Sequence, residues 1–358
     1  MLVWVLVPMM ETSDPTLDYY NDYSQSYAEF ERAFRELGVE WRWQPVTIDN
    51  HREVIDRIAS ESMLHYPVVF NLCDGDEING MPGISVIRYL DETGIPYTGA
   101  DESFYRVTTS KIDMKRAFDR AGVPTSPWEI VSPRSRSFRS VFERHGAPLI
   151  VKPAVSAGSM GISCKSVVST GAELKEQLGI LQKGYHGWDL ASGGVFVERY
   201  ISGREFTVLV TGSADDPSQG RVYPAIERVF HAALPPTEQF LSFDRLWETY
   251  EQESALPEGE YLWEYRRAPE SLQQPICDVV WAAYASVGGR GYGRVDLRMD
   301  SATGELYVLE VNAQCGLSED ENYTSIGAIL RFADRTFRAM VHDIVEDSLS
   351  LRALARSA

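Results

Sequence analysis

Alternating apolar and amphipathic segments fill the first 107 residues of the chain. Compact apolar runs predict strands, and apolar positions spaced by three and four residues predict helices. The predicted order is strand 2–7, helix 18–37, strand 39–46, helix 51–60, strand 67–72, helix 83–93 and a glycine-bounded exit at 94–99. Strands that alternate with helices imply a parallel sheet with helices on its faces. Ligands bind beyond the carboxyl ends of such strands, so the loop after Leu72 is a candidate substrate surface.

The pattern changes to short strands and glycine-rich turns after a solvated connection at 132–140. A strand is expected at 149–153, followed by a glycine-rich turn and a return strand at 162–168. Further helices are predicted at 108–121, 270–287 and 325–346. Two segments rich in Pro, Glu, Asp and Ser, 213–220 and 233–260, are expected to be loops or inserts. The fold class is therefore α/β, with a parallel sheet followed by α+β structure.

The composition narrows the classes of partner. The 358 residues include 34 basic and 52 acidic ones, and the net charge of −18 argues against nucleic acid or an anionic membrane surface as the main partner. No apolar stretch reaches the length of about 18 residues that a helix needs to span a bilayer. The apolar N-terminus lacks the basic residues of a signal peptide. The four scattered cysteines predict neither a zinc site nor a disulfide framework. The cytoplasm is the expected location.

The segment 294–312 has the most informative pattern. It predicts two strands joined by a three-residue turn, 302–304, with Gly304 in the left-handed conformation. In this register two pairs of polar residues face each other on one side of the hairpin: Asp296 with Glu310, and Arg294 with Asn312. The other side carries the apolar residues Val295, Leu297, Leu309 and Val311.

This pairing predicts a cation site. Directly opposed carboxylates lie about 5 Å apart at Cβ and repel one another, so a positive charge is expected between them. Oxygen ligands from Asp, Glu and Asn suit Mg²⁺. An exposed hairpin face with ordinary solvated charges is the alternative interpretation.

A second glycine-rich segment, 154–161, follows the predicted strand that ends at Lys152. Its small residues would let backbone amides approach phosphate oxygens, and Lys152 could add a positive charge. A surface hairpin is the alternative. Lys111, near the start of a helix, and the pair Glu198 and Glu205, around a turn between apolar strands, are by themselves explained as solvated charges. A glutamate there could also accept hydrogen bonds from ribose hydroxyls.

These pieces occur in an order that resembles the ATP-grasp superfamily, and within it the D-alanine–D-alanine ligase-like branch, over nearly the whole chain. The matching strings are Val69-Phe-Asn-Leu72, Gly94-Ile-Pro-Tyr-Thr-Gly99, Ser110-Lys111, Ile150-Val-Lys-Pro153, Gly158-Ser-Met-Gly161, Val197-Glu198, Gly203-Arg-Glu-Phe-Thr207, Gly293-Arg-Val-Asp296 and Leu309-Glu-Val-Asn312. The resemblance implies an N-terminal domain at 1–107, a central lid domain at 108–205 and a C-terminal domain with the metal site at 206–358. ATP would lie between the last two domains, and a homodimer is a further expectation.

The resemblance also implies a role for each matching residue. ATP phosphates would be bound by Lys111 and Lys152 and covered by the loop 156–161, including Ser159, Met160 and Gly161. Adenine would be held by Glu198 and the backbone of Arg199, Tyr200 and Ile201, and ribose by Glu205. Two Mg²⁺ ions, or Mn²⁺ in their place, would be ligated by Asp296, Glu310 and Asn312. Arg294, with Gly158 and Ser159, would act on the reacting groups.

The implied activity joins a carboxylate to an amine through an acyl-phosphate and releases ADP and phosphate. Phosphorylation supplies the leaving group that a carboxylate lacks, and lid closure would keep water away from the acyl-phosphate. No nucleic-acid or membrane partner is expected, and the substrates would be small amino-acid-like molecules.

The nucleotide half matches this family better than the amino-acid half. The segment 71–80 replaces a histidine-containing HGxxGEDG loop, and 313–321 replaces a Thr/Ser-Pro-Gly-rich segment. Arg245 is the nearest candidate for a lysine that the family carries in its long loop. We therefore expect substrates other than two D-alanines. An authentic D-alanine–D-alanine ligase is one alternative, and a catalytically silent ATP-binding regulatory protein is another.

Two features near the end of the hairpin have a functional and a structural interpretation. Cys315 could face the substrate, although a buried structural cysteine is the more common case. The acidic run 319–321 could select a cationic substrate, although a solvated loop explains it as well.

Overall fold

Three β-sheets organise the chain in the computed structural model, which describes residues 1–12, 21–61, 66–184, 187–247 and 260–357. In these residues the strands are β1 (Leu2–Pro8), β2 (Glu40–Val46), β3 (Pro67–Asn71), β4 (Trp128–Val131), β5 (Leu149–Pro153), β6 (Val167–Val168), β7 (Val195–Arg199), β8 (Gly203–Thr211), β9 (Arg221–Val222), β10 (Ile226–Phe230), β11 (Trp263–Arg267), β12 (Tyr292–Asp300) and β13 (Leu306–Ala313). The helices are α1 (Ser24–Leu37), α2 (His51–Ser60), α3 (Ile84–Thr93), α4 (Glu102–Thr109), α5 (Lys111–Ala121), α6 (Arg139–His145), α7 (Gly171–Lys183), α8 (Phe243–Trp247), α9 (Glu270–Ser286), α10 (Ser325–Phe332) and α11 (Phe337–Ser357).

The first sheet is parallel, with strand order β2-β1-β3, as the alternation of strands and helices predicts. Every residue of β1 is buried, which explains its unbroken apolar sequence. Helix α1 ends at Gly38, whose φ of 66° is left-handed, as predicted. The helix begins at Ser24, and the predicted start at residue 18 lies outside the described residues.

The second sheet is antiparallel, with strand order β4-β7-β5-β6. The predicted return strand at 162–168 is wrong except for its last two residues, which form β6. Ser163 caps a short 3-10 turn at Cys164–Ser166, so the chain turns where a continuous strand was expected. The connection at 132–140 is also shorter than predicted, because α6 begins at Arg139.

The third sheet has the strand order β11-β10-β8-β12-β13, with β9 beside β8. Its long central strands bury aliphatic residues on the face covered by α9 and α5, including Val208, Val295 and Val311. The opposite face of β8, β12 and β13 carries the polar residues described below. Because side chains alternate along a strand, one sheet presents both a core and a polar surface.

Two predicted helices are each divided in two. The helix predicted at 108–121 is interrupted by Ser110, which is extended and accepts a hydrogen bond from the amide of Asp113 at the start of α5. The helix predicted at 325–346 is interrupted between α10 and α11, where Asp334 has a left-handed φ of 52°. In the part of the chain that the structure describes, no helix is long and apolar enough to cross a bilayer.

Candidate active site

A cleft of about 690 Å³ lies between the second and third sheets and extends to the loop after β3. Its walls come from the second and third sheets and from the loop after the first sheet, which explains why sequence motifs more than 200 residues apart contribute to it. The predicted residues that line it are Lys111, Lys152, Gly158, Ser159, Glu198, Arg199, Tyr200, Ile201, Glu205, Arg294, Asp296, Glu310 and Asn312.

The opposed carboxylates form the centre of the cleft. Asp296 pairs with Glu310, and Arg294 with Asn312, in the register that the sequence predicts. The amide nitrogen of Asn312 lies 3.0 Å from Oδ2 of Asp296 and 3.4 Å from Oε1 of Glu310. An amide donor therefore bridges two carboxylates whose charges would otherwise repel.

The turn of this hairpin differs from the prediction. The amide of Asp300 donates to the carbonyl of Glu305, so the loop has four residues, 301–304, instead of three. A register shift between Asp296 and Leu297 compensates for this difference and restores the predicted pairs. As a result Val308 packs in the core, and Leu309, which was predicted to face it, lines the cleft.

Two basic residues contact the opposed carboxylates. Nη2 of Arg294 lies 2.9 Å from Oδ2 of Asp296. Nζ of Lys111 lies 3.5 Å from Oε2 of Glu310 and donates to the carbonyl of Ser156 at 2.9 Å. The start of α5 thus places Lys111 in the cleft, and the interpretation as a solvated surface lysine is wrong.

Glu198 is held by two lysines in a buried position. Its oxygens lie 2.6 Å from Nζ of Lys152 and 2.5 Å from Nζ of Lys115. Burial alone would raise the pKa of Glu198, but the two ammonium groups outweigh it and hold the pKa at about 2. In this conformation each Glu198 oxygen contacts a lysine ammonium, an arrangement that the sequence did not predict. Lys115 was missed, although it lies one helical turn after Lys111 on α5.

Glu205 accepts hydrogen bonds from two buried arginines. Arg298 donates to it from Nε at 3.0 Å and Nη2 at 2.9 Å, and Arg228 donates from Nη1. Arg298 also donates to the carbonyls of Ile201, at 2.8 Å, and Gln239. Neither arginine was predicted from the sequence, although alternation along β10 and β12 puts both on the cleft face.

The glycine-rich lid only partly faces the cleft. Gly158 and Ser159 line it with left-handed backbones, and Oγ of Ser159 donates to the carbonyl of Leu241 at 3.0 Å. Met160 and Gly161 do not line it, contrary to the prediction. Met160 is buried with its amide donating to Ala157, and Gly161 lies against the side chains of Leu190 and Leu181.

Cys315 and the acidic run 319–321 have structural roles, which was one of the two interpretations of each. Burial raises the pKa of the Cys315 thiol to about 12, so the thiol stays protonated and unreactive at neutral pH. In the acidic run, Glu319 pairs with Arg32 and Glu321 with Arg331, while Asp320 accepts backbone hydrogen bonds within its own loop. These acids are therefore already partnered.

Arg245 does not take the place of a phosphate-binding lysine. It is 1% exposed and donates to the carbonyl and carboxylate of Glu238. Its role in this conformation is to hold the insert that follows β10.

Solved structures share this fold. A crystal structure of the D-alanine–D-alanine ligase of Bacillus anthracis complexed with ATP aligns over 99% of this chain and 99% of that one, with a TM-score of 0.68 and 19% sequence identity. A second crystal structure of that enzyme aligns equally far, with a TM-score of 0.67 and 18% identity.

The fold and the cleft together define an ATP-grasp enzyme. The family described as D-ala D-ala ligase C-terminus matches residues 117–346, and the chain belongs to this family. The D-alanine–D-alanine ligase of Saccharophagus degradans is 29% identical over 260 residues, 73% of this chain and 71% of that protein. The Pseudomonas putida enzyme of the same name is 26% identical over 310 residues, 86% of this chain and 83% of that protein. The protein is therefore an ATP-dependent carboxylate–amine ligase.

Proposed function

We propose that the protein forms an amide bond between two amino-acid-like substrates through an acyl-phosphate, releasing ADP and phosphate. One observation carries the proposal: the opposed carboxylates of Asp296 and Glu310 lie between the cations Arg294 and Lys111 in a cleft between two sheets. Fixed charges of both signs in this arrangement suit phosphoryl transfer, which depends on positioning and on neutralising charge.

The donor set of this centre fits Mg²⁺. Two carboxylates and one amide supply oxygen ligands, and the amide nitrogen of Asn312 stands near both carboxylates. Rotation of the amide by 180° would present its oxygen in place of that nitrogen. Asp296, Glu310 and Asn312 would then hold the metal, which would neutralise phosphate charge. No group of three His, Cys, Asp or Glu side chains that could hold a metal ion occurs among the described residues, so this centre depends on the Asn312 amide as its third ligand.

The nucleotide would lie along the same face. Lys111 and Lys152 supply positive charge for phosphates, and Gly158 and Ser159 cover them. The turn between β7 and β8 provides backbone groups of Arg199, Tyr200 and Ile201 for the adenine edge. Thr207 of β8 lies opposite Asp296, and Glu205 is two residues away on the same face of that strand. The ribose, which is next to the phosphates in ATP, would lie beside Glu205.

The proposed reaction has two balanced steps. The donor carboxylate oxygen bonds to the γ-phosphorus of ATP as the bond to the bridging oxygen of ADP breaks. The amine of the second substrate then bonds to the acyl carbon, the bond between that carbon and the phosphate oxygen breaks, and the proton that the amine loses passes to the released phosphate or to solvent. Arg294, anchored on Asp296, lies where it could stabilise the oxyanion formed in this second step.

The substrates are proposed to differ from two D-alanines. The loop after β3 and the segment after β13 line the substrate end of the cleft, and both depart from the family sequence. An authentic D-alanine–D-alanine ligase is the second candidate, because the relatives carry that name.

The test is ADP release with Mg-ATP against a matrix of D- and L-amino acids, with mass spectrometry of the products. The proposal predicts turnover that needs a specific pair and yields a new amide mass. Robust turnover with D-alanine alone would favour the second candidate. ATP binding without turnover for any pair would contradict both.

A further inference from the structure

Nearly every charged side chain that lines the cleft has a partner of opposite charge. Lys111 pairs with Glu310, Lys152 with Glu198, Arg199 with Asp300, Arg294 with Asp296, and Arg228 and Arg298 with Glu205. Two lining residues stand outside these pairs, Asp74 and Asp76. The cleft therefore has unmatched negative charge in the loop after β3.

The two aspartates differ in what they contact. Asp76 accepts hydrogen bonds from the amides of Ile78 and Asn79 and from the Asn79 side chain, so its carboxylate shapes the loop. Asp74 is exposed to the cleft. Within the described ranges, no other residue donates a hydrogen bond to its carboxylate, and no basic side chain pairs with it. Asp74 is the carboxylate left available to a ligand.

The backbone on both sides of Asp74 is held in place. Gln314, two residues after Asn312, donates from Nε2 to the carbonyls of Asn71 at 3.3 Å and Cys73 at 3.0 Å. On the other side, the hydroxyl of Tyr105 donates to the carbonyl of Gly75 at 2.7 Å. A carboxylate on a fixed loop loses little conformational freedom when a ligand binds.

The nearest charge to Asp74 is that of Asp76 in its own loop, and its other neighbours are uncharged and close to the reacting centre. Its charge contributes, after burial, to the raised pKa values of Tyr23, Tyr105 and Cys315, so these neutral side chains are its neighbours. Cys315 is three residues from Asn312. No third metal-ligating side chain accompanies Asp74 and Asp76 among the described residues, so a metal ion is not the expected cation.

We propose that Asp74 determines specificity by binding a cationic group of the amino-acid substrate, an ammonium or guanidinium that is not the amine being acylated. The inference rests on the proposed function and names the chemical class of its substrate. The amine that attacks must be neutral, so the cation belongs either to a basic side chain or to the α-ammonium of the carboxylate donor. Glu319 and Glu321 already pair with Arg32 and Arg331, so they are not candidates for binding this cation.

Matched substrates distinguish the two sources of the cation. Lysine and norleucine have side chains of similar size and differ in the terminal ammonium, whereas alanine and propionate differ in the α-ammonium. Each would be tested with Mg-ATP and the best second substrate from the matrix. We expect kcat/KM to be about 10- to 100-fold higher for the cationic member of at least one pair, because a charged hydrogen bond contributes a free energy of that size.

The variant Asp74→Asn keeps the shape of the side chain and removes its charge. It should reduce that advantage at least tenfold through the KM of the cationic substrate, without changing the KM for ATP. Glu319→Gln is the matched control, because it removes a nearby acid that is already paired with Arg32. It should leave the advantage unchanged.

Two results would overturn the inference while leaving the proposed function intact. One is a wild-type enzyme that uses the cationic and neutral members of both pairs equally well. The other is an Asp74→Asn variant that loses kcat equally for both members, since this would mark a general base or a structural role. If no pair supports turnover, the same comparison can be made by binding measurements. The affinities of lysine and norleucine, and of alanine and propionate, would be measured in the presence of Mg²⁺ and a non-hydrolysable ATP analogue. No preference for the cationic member in either pair, or a preference that Asp74→Asn retains, would refute the inference.

Discussion

Nζ of Lys115 lies 2.5 Å from Oε2 of Glu198, and both side chains are almost fully buried. Lys115 comes from α5, before the second sheet, and Glu198 from β7, one of the two inner strands of that sheet. Desolvation penalises each charge separately, and burial lowers the pKa of Lys115. Lys152 contributes a second ammonium on the cleft side, which stabilises the Glu198 carboxylate and repels the Lys115 ammonium. A buried ion pair thus links the core of this domain to a proposed phosphate ligand.

Replacing Glu198 with Gln should strongly destabilise the protein. The change leaves two buried or half-buried ammonium groups without a counter-charge, and breaking a buried pair in this way costs about 3–5 kcal/mol. Chemical denaturation at pH 7 measures the loss. Glu143→Gln breaks an exposed pair with Arg139 and should cost no more than about 0.5 kcal/mol. A loss below about 1 kcal/mol for Glu198→Gln would show that the lysines find other partners.

Replacing Glu310 with Gln should reduce kcat by about two orders of magnitude or more, because it removes a carboxylate from the proposed metal centre. Steady-state ADP release measures the effect, and a thermal unfolding curve checks that the fold is retained. Glu305→Gln is a suitable control, since Glu305 lies on the same hairpin and is exposed. Normal turnover in the Glu310 variant would refute the metal assignment.

The hairpin at 294–312 shows which details of strand pairing the sequence predicts and which it does not. Period-two alternation predicts the pairs Asp296 with Glu310 and Arg294 with Asn312, and both are confirmed. The turn prediction is wrong by one residue, and the bulge that corrects the register could not be predicted. Val308 and Leu309 are both apolar, so nothing in the sequence indicates which of them enters the core.

The partners of the site residues were less predictable than the residues themselves. The motif order identifies Glu198 and Glu205, but Lys115, Arg228 and Arg298 look like ordinary charges within a helix or strand. Their contacts depend on how α5 packs on the second sheet and how β8, β10 and β12 align. Tertiary packing of this kind leaves only a weak periodic signal in the sequence.

Replacing Arg298 with Lys should raise the KM for ATP about tenfold or more and leave the KM of the amino-acid substrate unchanged. Arg298 holds Glu205 and the carbonyl of Ile201 together with a planar fork, which a lysine cannot reproduce. Initial-rate kinetics with each substrate varied in turn measures the effect. Arg204→Lys is the control, because Arg204 pairs with Glu227 on the opposite face of β8 and β10. Equal changes in both KM values would indicate a general loss of structure.

The preference for a cationic substrate should depend on pH. The Asp74 side chain is exposed to the cleft, but the surrounding cleft walls reduce its solvation. This loss of solvation, with a further contribution from the charge of Asp76, raises the pKa of Asp74 to about 6. The carboxylate is charged above this pH and neutral below it, so the preference should be present at pH 7.5 and fade as the pH falls toward 5. A lysine side chain stays protonated throughout this range.

The phenols and thiols around Asp74 do not obscure this titration. The neighbouring phenols and thiols ordinarily titrate above neutral pH, and burial raises their pKa values further. These residues are Tyr23, Cys73, Tyr105, Tyr292 and Cys315. The measurement is the ratio of kcat/KM for lysine to that for norleucine, and for alanine to that for propionate, from pH 5 to 8. In Asp74→Asn the ratio should be low and independent of pH. A wild-type ratio that stays constant across this range for both pairs would contradict a role for the Asp74 charge, because protonation would then have removed the charge without removing the preference.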